Sequence, residues 1–94
     1  MEMEPAAVEA QLKRDGFAEI EAKSAPPGVF SPVHSHACDL RALVMTGELT
    51  LHCQGASQTY RAGDMVVLAA GSEHAEQNGP EGYTYIVGRR HPKL

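Results

Sequence analysis

Three histidines are the residues of this chain best placed to do chemistry: His34 and His36, separated by Ser35, and His74, which closes the stretch Gly71-Ser72-Glu73-His74. Side chains on a strand alternate faces, so residues two apart project from one side. In an extended stretch, His34 and His36 aim two imidazoles at one point, and a histidine from a neighbouring strand completes a facial set. Neutral imidazole suits zinc, copper, iron and nickel, so the pattern predicts a mononuclear transition-metal site in a small β structure. A His-x-His pair by itself is also common on solvated strand faces. The residues around it carry the remaining information.

Those residues form a glycine framework. Gly28 is followed by five residues to His34, then Ser35 and His36; three further residues lead to Leu40, and six more to Gly47. Gly63 is followed by five residues, then Ala69-Ala70-Gly71, two residues, His74, three residues and Asn78. In spacing, this framework resembles the two sequence motifs of the cupin superfamily, the first over 28–47 and the second over 63–78. Two identities depart from the family pattern: Leu40 replaces the usual ligand glutamate and Ala69 the usual proline. Only fifteen residues separate the motifs, as in compact single-domain members. The resemblance implies one cupin domain over 1–94, all-β, a jelly-roll β-barrel with a short N-terminal helix. Cupins include dioxygenases, isomerases, decarboxylases, sugar-binding domains and seed storage proteins, so the fold does not name the reaction.

The resemblance also implies the ligands. His34, His36 and His74 occupy the three family histidine positions, holding a divalent transition metal: iron, zinc, nickel, copper or manganese. Leu40 cannot ligate, and what remains is similar to the three-histidine cupins, among them dioxygenases of thiols and diketones. Glu76 follows His74 by two residues and shares its face, as a fourth ligand or a nearby acid or base. Cys38 lies between His36 and Leu40 on the same face, where its thiolate could ligate or react, although a small core residue is its commoner role. Asp39 and Arg41 fall on the opposite face, suited to a salt bridge; a bulge would turn Arg41 inward as a carboxylate anchor. Tyr83 and Tyr85 could line a cavity or pack in the core. His52, on a solvent face, and His91, near the end, are not expected to ligate.

The elements that must position these residues can be read along the chain. Pro5 at the first turn, Val8 and Leu12 on one face, Glu9 paired with Lys13 and a closing Gly16 predict a helix up to Arg14. Phe17–Ala22 alternates as a strand, and Pro26-Pro27-Gly28 is a turn. Val33–Met45 reads as one strand, Thr46-Gly47 as a turn, and Glu48–Cys53 as the next strand. Gln54–Ser57 turns into Gln58–Arg61, and Met65–Leu68 reads as a buried strand. Asn78–Gly82 reads as a turn before a strand over Tyr83–Val87. Short strands at this spacing suggest a sandwich or barrel, and a homodimer is expected to cover the edges Tyr83–Val87 and Phe17–Ala22.

Composition narrows the class. Ninety-four residues with 43% hydrophobic content suit one small globular domain. A net charge of −4 and the absence of tryptophan argue against nucleic acid as a partner. Arg89, Arg90, His91 and Lys93 read as a small solvated basic tail. Residues 1–15 contain no apolar run long enough for a signal peptide or a membrane span. Cys38 and Cys53 lack metal-motif or disulfide-framework spacing, so reduced thiols and a cytoplasmic location are expected. The functional expectation is a metal-dependent, dioxygenase-like enzyme acting on a small organic molecule; the alternative is a non-catalytic small-molecule binding or sensing module.

Overall fold

A computed structural model describes residues 4–91. Helix α1 covers Pro5–Arg14 and is followed by six strands: β1 Ala18–Ala25, β2 Phe30–His34, β3 Asp39–Cys53, β4 Ala56–Arg61, β5 Met65–Leu68 and β6 His74–Arg90. The helix forms as its sequence dictates. Pro5 occupies the first turn, Lys13 and Arg14 complement the last, and Glu9 meets Lys13 at 3.2 Å.

All pairings are antiparallel, and two long strands carry the architecture. The first half of β3 lies between β5 and the second half of β6, and beyond β6 lies β1. The second half of β3 lies between β4 and the first half of β6, and beyond β6 lies β2. Thus β3 and β6 pass together from one four-strand layer to the other, as in a jelly roll. They bend where the register slips, between Gly47↔Tyr83 and Leu49↔Asn78.

This bend corrects two expected turns. Thr46-Gly47 and Asn78–Gly82 do not reverse the chain; they form the shared kink of two continuous strands. Gly47 has φ +77° and Gly82 φ +71°, and a Cβ on Gly47 would collide with the Gly82 carbonyl oxygen. A third correction concerns the expected strand Val33–Met45. It is broken after His34, and residues 35–38 connect β2 to β3. The loop Ala69–Ser72 pins that connection: Gly71 N–H donates to the His36 carbonyl at 2.8 Å, and Ala70 N–H to Asp39 Oδ1 at 2.9 Å. Asn78, the last position of the second motif, works structurally by donating Nδ2–H to the Pro26 carbonyl at 2.8 Å.

Three smaller corrections follow from the pairing. Tyr83–Val87 is not an edge, because β1 and β3 flank it on both sides. Strand β5 is only half buried, with Val67 63% exposed. Arg89 and Arg90 belong to β6 rather than to a solvated tail, while Lys93 lies outside the described residues.

Alternation along β3 and β6 divides the apolar residues into two clusters. Leu43 and Ile86 face outward and meet Val8, Leu12 and Phe17, so α1 covers the outside of the first layer. Val44, Leu49, Leu51, Val66 and Tyr83 face inward, between the layers. Leu12 is 1% exposed at the centre of the outer cluster. Leu12→Ala is therefore expected to destabilise the protein by about 2–5 kcal/mol, since truncating a buried leucine loses transfer energy and leaves a cavity. Urea denaturation checks this; a midpoint unchanged from the parent protein would mean that the helix is not docked on the sheet.

Candidate metal centre

The site is built from the end of β2, the connection that follows it and the start of β6. His34 ends β2 directly opposite His74, which begins β6. His36 follows in the pinned connection, and Glu76 lies two residues along β6 on the same face as His74. The ring centroids of His34 and His74 are 4.4 Å apart, and that of His36 is 5.1 and 5.3 Å from theirs. One donor atom from each of His34, His36, His74 and Glu76 falls within 4.8 Å of all the others. This group of three imidazoles and one carboxylate could hold a metal ion.

Hydrogen bonding aims the lone pairs. His34 Nδ1 lies 2.7 Å from the Pro32 carbonyl, and His74 Nδ1 3.1 Å from that of Ser72. A carbonyl only accepts, so both Nδ1 atoms carry hydrogen, and in the neutral rings both Nε2 atoms present lone pairs to the site. Backbone carbonyls commonly orient metal-binding histidines in this way. Glu76 Oε2 lies 3.0 Å from His34 Nε2 and 3.6 Å from His74 Nε2. A carboxylate oxygen and an imidazole lone pair at that separation repel unless a proton or a cation lies between them.

The decisive atom is His74 Nε2. His74 is 1% exposed, and its Nε2 is buried with no hydrogen-bond partner. A buried polar atom left unpaired costs free energy comparable to a lost hydrogen bond. A divalent ion at the focus of the four donors would satisfy it, and the mixed nitrogen and oxygen donor set suits iron, manganese, nickel or zinc. His36 is suited to the same task. Burial first, then the neighbouring His74 and His34, lower its pKa from 6.5, which favours the neutral ring that a metal requires.

The remaining candidates lie elsewhere. Cys38 is buried but outside the donor group. Residues 35–38 are not strand, so the parity that placed its thiol beside the histidines does not apply. Arg41 does not turn inward: the β3–β5 register runs unbroken through it, and its guanidinium pairs with Asp15 at 2.7 Å and covers the Phe17 ring at 4.6 Å. Asp39 pairs with Arg90 at 3.0 Å. His52 is exposed and bonded to Ser57, and His91 lies 3.4 Å from Glu19.

Below the donor group lies a cavity of about 140 Å³ between the layers, reached by His36, Leu40, Glu76, Tyr83 and Tyr85 among others. Burial raises both tyrosine pKa values, with Glu76 adding to the effect, so both phenols stay neutral. Arg89 also lines this cavity, and the sequence reading missed it. Its signal in the sequence is the parity it shares with Tyr83, Tyr85 and Val87, which the basic run Arg89, Arg90, His91 and Lys93 obscures by resembling a tail.

Comparison with known proteins agrees with this architecture. No family model matches the chain, and no curated protein does. Solved structures do match. A cupin-2 domain containing protein from Shewanella frigidimarina is 26% identical, with a TM-score of 0.63 over 76% of this chain and 69% of its own. A protein of unknown function from Rhizobium leguminosarum is 20% identical, with a TM-score of 0.72 over 98% of this chain and 100% of its own. The DMSP lyase DddQ from Ruegeria pomeroyi is 22% identical, with a TM-score of 0.67 over 76% of this chain but only 36% of its own. The chain spans about two thirds of the length of several other matching structures. Among the described residues, no helix is long and apolar enough to cross a membrane.

Proposed function

Because the chain is by fold a small cupin, we propose that it binds one divalent transition metal through His34, His36, His74 and Glu76. We propose further that it acts on a small organic molecule in the adjoining cavity, with oxygenase chemistry as the leading reading. The single observation that carries the proposal is the buried, unpartnered Nε2 of His74 beside three other converging donors. When bound, the metal would supply Lewis-acid or redox chemistry at the histidine end of the cavity.

The chain's own residues supply the rest. Leu40, Val44, Leu51 and Val66 give the space beneath the donors apolar walls. Tyr83 and Tyr85 offer neutral hydroxyls that can orient a polar group of a substrate, and Pro32 and Ser72 carbonyls keep two imidazoles in the ligating tautomer. Glu76 supplies the negative charge that Leu40 cannot, offsetting part of the cation's charge as it is enclosed.

The test is a turnover screen of protein loaded separately with iron, manganese, nickel, copper and zinc. Oxygen uptake is followed with thiols, diketones and phenolic acids. DMSP is included as the substrate named for one structural neighbour. Turnover with at least one metal, abolished by His36→Ala, is the expected outcome. No turnover with any metal, together with tight binding of one of these compounds, would replace the enzyme reading with that of a binding or sensing module.

A further inference from the structure

The inward face of β6 ends in a cation. From the kink onward, Tyr83, Tyr85, Val87 and Arg89 point between the layers, while Arg90 points outward onto Asp39 and the Phe17 ring. Arg89 is the only lysine or arginine among the residues lining the cavity below the donors, which it shares with His36 and Glu76. Among the described residues its one hydrogen-bond partner is Glu21, reached by a single N–H at 3.4 Å. A guanidinium has five N–H donors in a fork that matches a carboxylate, so most of this capacity remains available. The Glu21 carboxylate is itself about half exposed, and such a pair contributes little to stability.

We infer that the cavity takes a small organic carboxylate, with its carboxylate on the Arg89 guanidinium. Its carbon body lies against Leu40, Val87 and Tyr85, and its other end faces the four donors. The inference rests on the proposed role of the cavity as a substrate chamber and adds the substrate's chemical class. The volume, about 140 Å³, is several times the roughly 30 Å³ share of a liquid water, which limits the guest to a small molecule. The anchoring role that the sequence suggested for Arg41 thus passes to an arginine on the other long strand.

Matched pairs of probes test this, because an amide keeps a carboxylate's shape without its charge. Butyrate and butyramide, and benzoate and benzamide, are titrated into metal-free and zinc-loaded protein by calorimetry. In metal-free protein, where no ion competes for the anion, each acid is expected to bind about tenfold or more tightly than its amide, as for a charge-assisted hydrogen-bonded pair. Arg89→Gln should remove that preference. Arg89→Lys, which keeps the charge but not the fork, should retain part of it. Glu21→Gln, which releases the competing carboxylate, should keep or raise it. Equal affinity for acids and amides in the parent protein, or an acid preference that survives Arg89→Gln, overturns the inference. Neither result depends on metal binding, which the zinc-loaded series reads separately.

Discussion

Adding a divalent transition metal to metal-free protein at pH 7.5 should raise its melting temperature by roughly 10–20 °C at a hundredfold excess over the dissociation constant. Only the folded chain brings the four donors together, so binding stabilises by mass action, about 2.7 kcal/mol at that excess. For a domain of this size each kcal/mol is worth roughly 4–8 °C. The increment should shrink as pH falls below about 6.5, because protons compete for the same lone pairs. The metal-free protein should weaken in the same direction. The pKa of His36 is lowered on folding from 6.5, so the unfolded chain binds that proton more readily. The corresponding stability is complete above 6.5 and drains away as pH falls toward the lowered value. His74→Ala should abolish the metal response and Glu76→Gln should diminish it, whereas Glu73→Gln, outside the donor group, should leave it intact. Melting curves unmoved by zinc, iron, nickel, copper and manganese would rule out the centre.

Gly47→Ala should be the most damaging single methyl group in the molecule. Its new Cβ would run into the Gly82 carbonyl and lie 2.8 Å from the Tyr83 Cα, both of them backbone that cannot swing aside. The residue also sits at φ +77°, a left-handed conformation that costs an L residue about 1–2 kcal/mol. Together these should exceed about 3 kcal/mol, or roughly 15 °C in melting temperature. Gly55 separates the two causes. At φ +81° with nothing within 4 Å, Gly55→Ala should show the conformational cost alone. Differential scanning calorimetry of the two variants reads the difference, and equal losses would mean that β3 and β6 do not touch at the kink.

Much of this molecule was legible before its structure. The helix followed from Pro5, the i,i+4 pair and the Val8/Leu12 face, and the jelly-roll reading from two motifs whose spacing fixed Gly28, His34, His36, Gly63, His74 and Asn78. What misled was punctuation. Glycine and proline mark a turn by their local conformational demands, yet the same residues serve where two strands bend together. Thr46-Gly47 and Asn78–Gly82 could be told from hairpins only by their contact with each other. Parity was equally local. It carried Glu76 from His74 because both lie within β6, and failed for Cys38 because residues 35–38 leave the strand. Carried beyond Val87 to the end of β6, the same parity reaches Arg89.

Strand β2 is held to the sheet on one side only, by the three registered pairs Phe30↔Gln77, Ser31↔Glu76 and His34↔His74, and it carries the exposed side chains of Phe30 and Val33. His34 stands at its last position, while two of the other donors belong to β6, which is paired along both edges. An ion shared among them would act as a clasp, fastening the most weakly attached strand to the most firmly embedded one. Without the ion, Phe30–His34 would keep only its pairing with β6, so the ion's contribution to order would fall mainly on the strand with the fewest other ties.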